Sequence, residues 1–182
     1  FMNFHIVTLF PEMFDSYLSE SILARAIKEK KISVKFYNPR LFVTGKYKKV
    51  WPDGNVSQIV DDRPYGGGPG MVIRAEPVLK AVEKALANIL RRRGIAKIIL
   101  FSPSGKKFTT EYAKSSVKKY TDIVLISGRY EGIDARVKKI LKAEEMSIGD
   151  YDLTGGELPA MVLVDSIARQ VSGVLVKYDF LE

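Results

Sequence analysis

The sequence predicts an α/β fold in which helices flank a mostly parallel sheet. Short runs rich in Ile, Val, Leu and Phe alternate along the chain with stretches of helical periodicity, which is the pattern of α/β proteins. Two central runs, residues 96–102 and 122–127, are nearly continuous in apolar residues, as expected of parallel strands covered on both faces. With 182 residues and 46% apolar content, the chain is long enough to bury one main core.

Five strands and at least three helices are expected along the chain. The predicted strands are residues 4–10, 34–37, 96–102, 122–127 and 144–148. Pro11 and Pro77 fit the first turns of helices, where a missing N–H is harmless. Core residues recur at helical spacing at Val78, Val82, Leu86 and Ile89, and again at Met161, Val164, Ala168 and Val171. Residues 38–70 show no regular pattern, and an irregular segment of that length is usually functional or mobile.

The amino-acid composition limits the partners and the kinds of reactive group that the chain can have. The net charge is +8, with basic clusters in "GKYKKV" (residues 45–50) and "RRRGIAK" (residues 91–97), which indicates either a polyanionic partner such as nucleic acid or a solvated basic surface. The absence of cysteine excludes disulfides, thiol nucleophiles and cysteine-ligated metals. The single histidine, His5, lies in an apolar run, so we expect packing in the core or at a sheet edge, and neither a histidine-rich metal site nor a Ser-His-Asp triad. No apolar run reaches about 18 residues, and we expect a cytoplasmic protein that does not contact membranes.

Three glycine-bearing polar segments follow predicted strands. They are "SPSGKK" (residues 102–107), "SGRYEG" (residues 127–132) and "GDYDLTGGELP" (residues 149–159). In open parallel sheets ligands bind beyond the carboxyl ends of the strands, so these loops should converge on one pocket. The sequence contains neither a phosphate-binding P-loop nor G-x-G-x-x-G. Glycines here would let the backbone contact a flat or bent small molecule, such as one that carries an adenine ring.

Four segments together resemble a known family. They are "LFPEMF" (residues 9–14), "VDDRPYGGGPGM" (residues 60–71), "SGRYEGID" (residues 127–134) and "SIGDYDLTGGELPAM" (residues 147–161). In this order they are similar to the bacterial tRNA (guanine-N1)-methyltransferases, the TrmD type of the SPOUT superfamily. The resemblance implies S-adenosylmethionine-dependent methylation of N1 of the guanine 3′ of the tRNA anticodon. It also implies a homodimer with its active site between subunits and a C-terminal trefoil knot that binds the cofactor.

The resemblance also implies site residues. The cofactor would contact Phe101, Ser102, Pro103, Gly128, Tyr130, Glu131, Ile148, Gly149, Asp150, Tyr151, Asp152, Leu153, Gly155 and Gly156. Asp61, Arg63 and Tyr65 are expected RNA or base contacts, although "DDRPYGGGPGM" could instead be a packing loop at the knot or dimer interface. The family is thought to need Mg²⁺ for turnover, and no site is assigned to it.

Methylation of guanine N1 requires a general base and a cation or donor near O6. Arg169 matches the family's arginine for the second role. The family's aspartate follows "GVL" in a linker before a C-terminal domain, whereas here "GVL" (residues 173–175) is followed only by "VKYDFLE". Asp179 is therefore the candidate base, although its surroundings depart from the family pattern.

The domains expected are a methyltransferase domain of residues 1–174 and a tail of residues 175–182. A cofactor-binding, tRNA-docking module that cannot turn over on its own is the alternative reading. An enzyme of the same superfamily that acts on ribosomal RNA is disfavoured, because "RPYGGGPGM" is characteristic of the tRNA family.

Overall fold

A computed structural model describes residues 1–175 of the chain. The central sheet has five strands, which are β1 (Met2–Val7), β2 (Ile32–Tyr37), β7 (Ala96–Lys107), β8 (Asp122–Ile126) and β9 (Glu144–Ser147). Their order across the sheet is β2-β1-β8-β7-β9, and every pair is parallel. The predicted parallel α/β fold is thus confirmed, with strand ends that differ from prediction by a few residues. The trefoil knot stays a prediction.

Helices cover both faces of this sheet. They are α1 (Asp15–Leu18), α2 (Ser21–Lys28), α3 (Ala75–Arg91), α4 (Thr110–Lys119), α5 (Arg136–Leu141) and α6 (Glu157–Ala168). Successive residues of β8 point to opposite faces. Ile123 and Leu125 pack in the cluster that contains α2, α4 and α6, whereas Val124 and Ile126 pack in the cluster that contains α3 and α5. Burial on both faces explains why β8 is uninterrupted in apolar residues.

The predicted helical stripes lie in the core. In α3, Val78, Val82 and Ile89 are buried and Leu86 is partly buried. In α6, Val164 and Ala168 are buried, and Met161 packs against the same cluster. Val171 is also buried but lies beyond the last helical residue. Pro11 opens a 3₁₀ turn, and Pro77 lies in the first turn of α3.

The expectation that residues 38–70 are irregular is wrong in part. The segment contains two 3₁₀ turns, Pro39–Phe42 and Gly45–Tyr47, and a hairpin of β3 (Lys48–Val50) and β4 (Val56–Gln58). It continues into β5 (Asp61–Asp62), which pairs with β6 (Val72–Ile73). These elements were missed because the hairpin is exposed and lacks the buried face that alternating apolar residues would reveal.

His5 packs in the core, as the sequence predicts. Its Nε2 lies 2.7 Å from Asp122 Oδ1 and its Nδ1 lies 3.0 Å from the Tyr37 hydroxyl. Arg92 also donates to Asp122 Oδ1, at 2.7 Å. Burial lowers the pKa of His5 more than the hydrogen bond to Asp122 raises it. Burial raises the pKa of Asp122, but hydrogen bonds from Thr121, His5 and Arg92 together hold it below its usual value.

Within residues 1–175, no helix combines the length and the apolar character that crossing a membrane requires.

Candidate functional site

A cavity of about 350 Å³ lies at the carboxyl ends of β7, β8 and β9. Its volume is within the usual range for small-molecule sites. The predicted residues that line it are Phe101, Ser102, Pro103, Gly128, Tyr130, Glu131, Ile148, Gly149, Tyr151, Asp152, Leu153, Gly155 and Gly156. The three glycine-bearing segments therefore converge on one cavity, as the parallel topology predicts.

The first wall of the cavity is an irregular part of β7. Both Phe101 and Lys106 pair with Met146 of β9, so the four intervening residues leave the regular ladder. A Cβ on Gly105 would lie 2.5 Å from the backbone N of Met146, and only glycine permits this approach. Residues 102–107, expected as a loop after the strand, are thus the distorted end of the strand itself.

The second and third walls pack directly on each other. Gly156 N donates a hydrogen bond to Gly128 O at 2.9 Å. A Cβ on Gly156 would lie 2.7 Å from Ser127 Cα and 3.0 Å from Gly128 N. Backbone therefore meets backbone here, and any side chain at Gly156 would force the main chain of the neighbouring wall to shift. Tyr130, on the same wall, has a left-handed φ of 60°, which is uncommon for a bulky residue and typical of functional sites.

Arg129 joins the walls of the cavity to the start of α6. Its Nε donates to Glu157 Oε2 at 3.0 Å, and its Nη1 donates to Thr154 O at 3.4 Å. Glu157 is 2% exposed, and its other oxygen accepts a hydrogen bond from Thr8 Oγ1 at 2.9 Å. Since a buried carboxylate needs such partners, the Arg129–Glu157 pair fixes the second loop against the third.

Several lining residues were not singled out from the sequence. They are Arg129, Gly132, Met146, Ser147, Thr154 and Pro159. Arg129, Gly132, Ser147, Thr154 and Pro159 lie inside the quoted segments, so the motif was the available signal. Arg129 lies between two glycine-bearing walls, and a basic residue in that position indicates an ion pair with an acidic residue of one wall.

Asp150 is predicted as a cofactor contact together with these lining residues, but its side chain points away from the cavity. Its carboxylate accepts a hydrogen bond from Lys107 Nζ at 2.7 Å, and its side chain is 81% exposed. It does not line the cavity, because its carboxylate is directed to Lys107. Its role as a cofactor contact stays a prediction.

The segment of residues 61–71 borders the cavity without lining it. Glu131 N donates to Met71 O at 3.0 Å, and a Cβ on Gly70 would lie 2.5 Å from Glu131 Cγ. Gly70 also has a positive φ of 92°. Of the predicted RNA contacts, Asp61 lies in β5 and pairs with Ile73 of β6, whereas Arg63 and Tyr65 are exposed, Tyr65 to 91%.

The structure does not place Arg169 in this cavity. Arg169 lines a second cavity, of about 690 Å³, with Met13, Ser16, Tyr17, Leu158, Met161, Val162, Asp165 and Ser166. The Tyr17 hydroxyl donates to Asp165, and this hydrogen bond raises the pKa of Tyr17. The two cavities are neighbours, since Arg129 Nη2 lies 3.0 Å from Met13 Sδ.

Two further expectations concern metal and base. Among residues 1–175, no group of three or more His, Cys, Asp or Glu is arranged to hold a metal ion. Asp179 and the rest of residues 176–182 lie outside the described part of the chain. The candidate base therefore stays a prediction.

Comparison with known proteins identifies the family. The family model described as tRNA (Guanine-1)-methyltransferase TrmD matches residues 2–181. A tRNA (guanine-N(1)-)-methyltransferase of Pseudoalteromonas atlantica is 44% identical over 94% of this chain and 60% of its own length. The protein of that name from Clostridioides difficile is 43% identical over 100% of this chain and 73% of its own length.

A solved structure agrees with these relatives. The crystal structure of tRNA (m1G37) methyltransferase from Aquifex aeolicus matches with a TM-score of 0.74 and 35% identity, covering 97% of this chain and 72% of that one. The chain thus spans between 60% and 73% of the lengths of these three proteins. Because the family model matches nearly the whole chain and the relatives and the solved structure agree with it, this chain belongs to the tRNA (guanine-1)-methyltransferase family.

Proposed function

We propose that this chain catalyses S-adenosylmethionine-dependent methylation of N1 of the guanine 3′ of the tRNA anticodon. The observation that carries the proposal is the convergence of three predicted loops on one cavity in a chain of this family. The names of the relatives favour an enzyme over a docking module that cannot turn over. The methyltransferase domain is proposed to be residues 1–174.

The cavity suits a bent adenine-containing cofactor because backbone forms much of its wall. Gly105 and Gly156 lie at close approaches between main-chain segments, and Gly156 packs against the backbone of Gly128, which leaves peptide N–H and C=O groups available to the edge of a purine. Ile148, Leu153 and Pro159 add apolar surface. The cofactor supplies a methyl group on a sulfonium, and transfer needs that group aligned with the accepting nitrogen. Alignment is the task we assign to the loops that the Arg129–Glu157 pair holds together.

Removal of the N1 proton and stabilisation of the charge at O6 are assigned to two groups outside this cavity. Arg169 is proposed to act as the cation near O6, and Asp179 is proposed as the base. Arg169 lies at the end of α6, whereas the cofactor cavity lies at its start. One guanine cannot span the roughly 18 Å length of α6, so the proposed site needs Arg169 from a second copy of the chain.

A homodimer would complete such a site. α6 is apolar on its exposed side as well as its buried side, since Leu158 is 53% exposed and Val162 is 38% exposed. Met13 and Tyr17 extend this surface, with exposures of 45% and 48%. A contiguous apolar surface of this kind usually marks a protein interface. We propose that a second copy covers it and contributes to the active site.

Substrate binding, location and ion dependence complete the proposal. Asp61, Arg63 and Tyr65 are proposed RNA contacts, since their segment borders the cavity wall at Glu131. We propose that the protein acts in the cytoplasm and that turnover requires Mg²⁺, with no site assigned. Dependence of the rate on added Mg²⁺ after chelation tests the last point.

Single-turnover transfer of labelled methyl from S-adenosylmethionine to a tRNA transcript tests the function. The product should be N1-methylguanine at the position 3′ of the anticodon, and a transcript with adenine there should accept nothing. Arg169→Ala and Asp179→Asn should each slow transfer by about 10²- to 10⁴-fold while cofactor affinity is unchanged. Methylation at another position, or cofactor binding without any transfer, would refute the proposal.

A further inference from the structure

The β3–β4 hairpin, residues 45–58, exposes apolar side chains that a folded domain normally buries. Its strands form their own two-stranded sheet, apart from the central one. Val50, Trp51 and Val56 are 68%, 52% and 50% exposed. Trp51 begins a tight turn in which Asn55 O accepts from Trp51 N at 2.8 Å. An exposed tryptophan beside two exposed valines forms an apolar surface patch, and such patches usually mark a binding site.

The same hairpin is basic. Lys46, Lys48 and Lys49 are all exposed, and the segment contains a single acidic residue, Asp53. Asp53 accepts hydrogen bonds from the backbone N and the side-chain amide of Asn55. None of the three lysines is in an ion pair with any residue from 1 to 175. Their charge is therefore available to a polyanion.

The base of the hairpin is anchored to the domain through Arg74. The guanidinium of Arg74 lies 3.3 Å from the centre of the Tyr47 ring, and its Nη1 donates to Ile59 O at 2.9 Å. Ile59 N in turn donates to Tyr47 O at 2.9 Å, and Arg74 N donates to Val60 O at 2.7 Å. The exposed tip is thus carried on a fixed base.

The anchor continues into the wall of the cofactor cavity. Arg74 follows directly on β6, and Ile73 of β6 forms a bridge with Ile133. Ile73 N donates to Gly132 O at 3.0 Å, and Gly132 lines the cavity. The hairpin therefore has a short, hydrogen-bonded connection to the candidate active site.

We propose that this hairpin is an RNA-binding element in which Trp51 stacks on an unpaired base and Lys48 and Lys49 contact phosphates. The inference rests on the proposed function, which makes tRNA the partner. Stacking on aromatic side chains and charge on neighbouring lysines are the two components of single-strand recognition. Paired bases have no free face for Trp51, so the element should bind loop nucleotides of the tRNA.

Charge argues against a second copy of the chain as the occupant. The hairpin has three exposed lysines and one acidic residue, so a second copy that docked through the same hairpin would bring like charges together. RNA supplies both the negative charge that the lysines lack and the flat bases on which Trp51 can stack.

Trp51 is the only tryptophan in the chain, so its fluorescence reports on the hairpin directly. A tRNA transcript and a short single-stranded oligoribonucleotide should quench it, whereas the same strand in a duplex should not. By filter binding, Trp51→Ala should weaken tRNA affinity roughly 5- to 150-fold, and Trp51→Phe should retain most of it. Lys48→Ala and Lys49→Ala should each reduce the salt dependence of log K by about 0.7.

Matched controls use exposed residues far from the hairpin in sequence. Leu90→Ala on α3, where Leu90 is 72% exposed, controls for loss of an apolar surface residue. Lys118→Ala on α4 controls for loss of one surface charge. Both should leave tRNA affinity unchanged. All hairpin variants should bind S-adenosylmethionine as the parent chain does, which separates this element from the cofactor cavity.

Two results would overturn the inference. The first is a pair of findings: Trp51→Ala binds tRNA as tightly as the parent chain does, and tRNA does not change the fluorescence of Trp51 in the parent chain. The other is fluorescence that changes with protein concentration in the absence of RNA, which would assign the hairpin to a protein interface. A different result would refute the proposed function. If no methyl is transferred while tRNA still binds and quenches Trp51, the proposed reaction is wrong and the role of the hairpin stands.

Discussion

Replacing Gly156 by alanine tests whether the cavity depends on contact between its second and third walls. The φ of Gly156 is −87°, so alanine can adopt the backbone conformation and only the added methyl matters. That methyl would lie 2.7 Å from Ser127 Cα. Restoring ordinary carbon–carbon contact needs a displacement of roughly 0.7 Å, and the atoms that must move are backbone on the cavity wall.

The expected loss follows from this displacement. Overpacking by one methyl in a well-packed site typically costs about 1–3 kcal/mol, and we expect Gly156→Ala to lower the free energy of unfolding by that amount. If about 1.4 kcal/mol of the strain falls on the cofactor-binding conformation, affinity for S-adenosylmethionine drops tenfold. Chemical denaturation measures the first quantity and isothermal titration the second.

A graded series of alanine substitutions supplies the controls. At Gly68 the nearest atom to an added Cβ is Pro64 Cγ at 4.0 Å, which is ordinary contact. At Gly128 the nearest is Ile133 Cγ1 at 3.3 Å, and a side chain can yield where backbone cannot. Losses should therefore increase in the order Gly68, Gly128, Gly156. Equal stability and equal cofactor affinity across the series would refute the argument that backbone contact shapes the cavity.

Three further predictions concern other parts of the molecule. Arg129→Ala should lower the free energy of unfolding by roughly 1.5–3 kcal/mol and weaken cofactor binding, because it leaves buried Glu157 without its cation. Below pH 6.5, stability should fall by up to about 1.4 kcal/mol per pH unit, since burial lowers the pKa of His5 and the unfolded chain takes up the proton first. Val162→Glu should convert a dimer to a monomer of 20.4 kDa, as measured by light scattering, because it places a charge on the exposed apolar side of α6.

Each of these predictions has an outcome that contradicts it. If Arg129→Ala costs as much in a Glu157→Leu background as alone, the two side chains are not coupled. If His5→Gln leaves the slope of stability between pH 6.5 and pH 5 unchanged, another group titrates there. If the parent chain scatters as a monomer at micromolar concentration, the exposed side of α6 is not a dimer interface.

The sequence predicts the central sheet well because burial leaves a strong pattern. β8 and the first half of β7, residues 96–101, pack apolar side chains on both faces of the sheet, as expected of parallel strands between two helical layers. The hairpin of residues 45–58 leaves no such pattern because its side chains face solvent. Its turn is visible only as "WPDGN", which indicates a change of direction without indicating that the flanking residues pair.

The candidate site was likewise predictable from the sequence only in part. Convergence of the loops follows from a rule of parallel sheets, and it was predictable once the strands were assigned. The direction of individual side chains is set by local packing, which is why Asp150 faces Lys107 while its neighbour Tyr151 lines the cavity. Placement of Arg169 in a second cavity depends on the path of α6 and could not be inferred from motif order.

The start of α6 is the structural link between the two cavities. Glu157 lies in its first turn, where a carboxylate is favoured by the helix dipole. It accepts a hydrogen bond from Arg129, which lines the first cavity. The same guanidinium contacts Met13, which lines the cavity of Arg169. Movement of the loop that carries Arg129 would therefore disturb both cavities at once. The proposed reaction needs such a connection, because methyl transfer depends on the relative position of cofactor and guanine more than on the affinity for either.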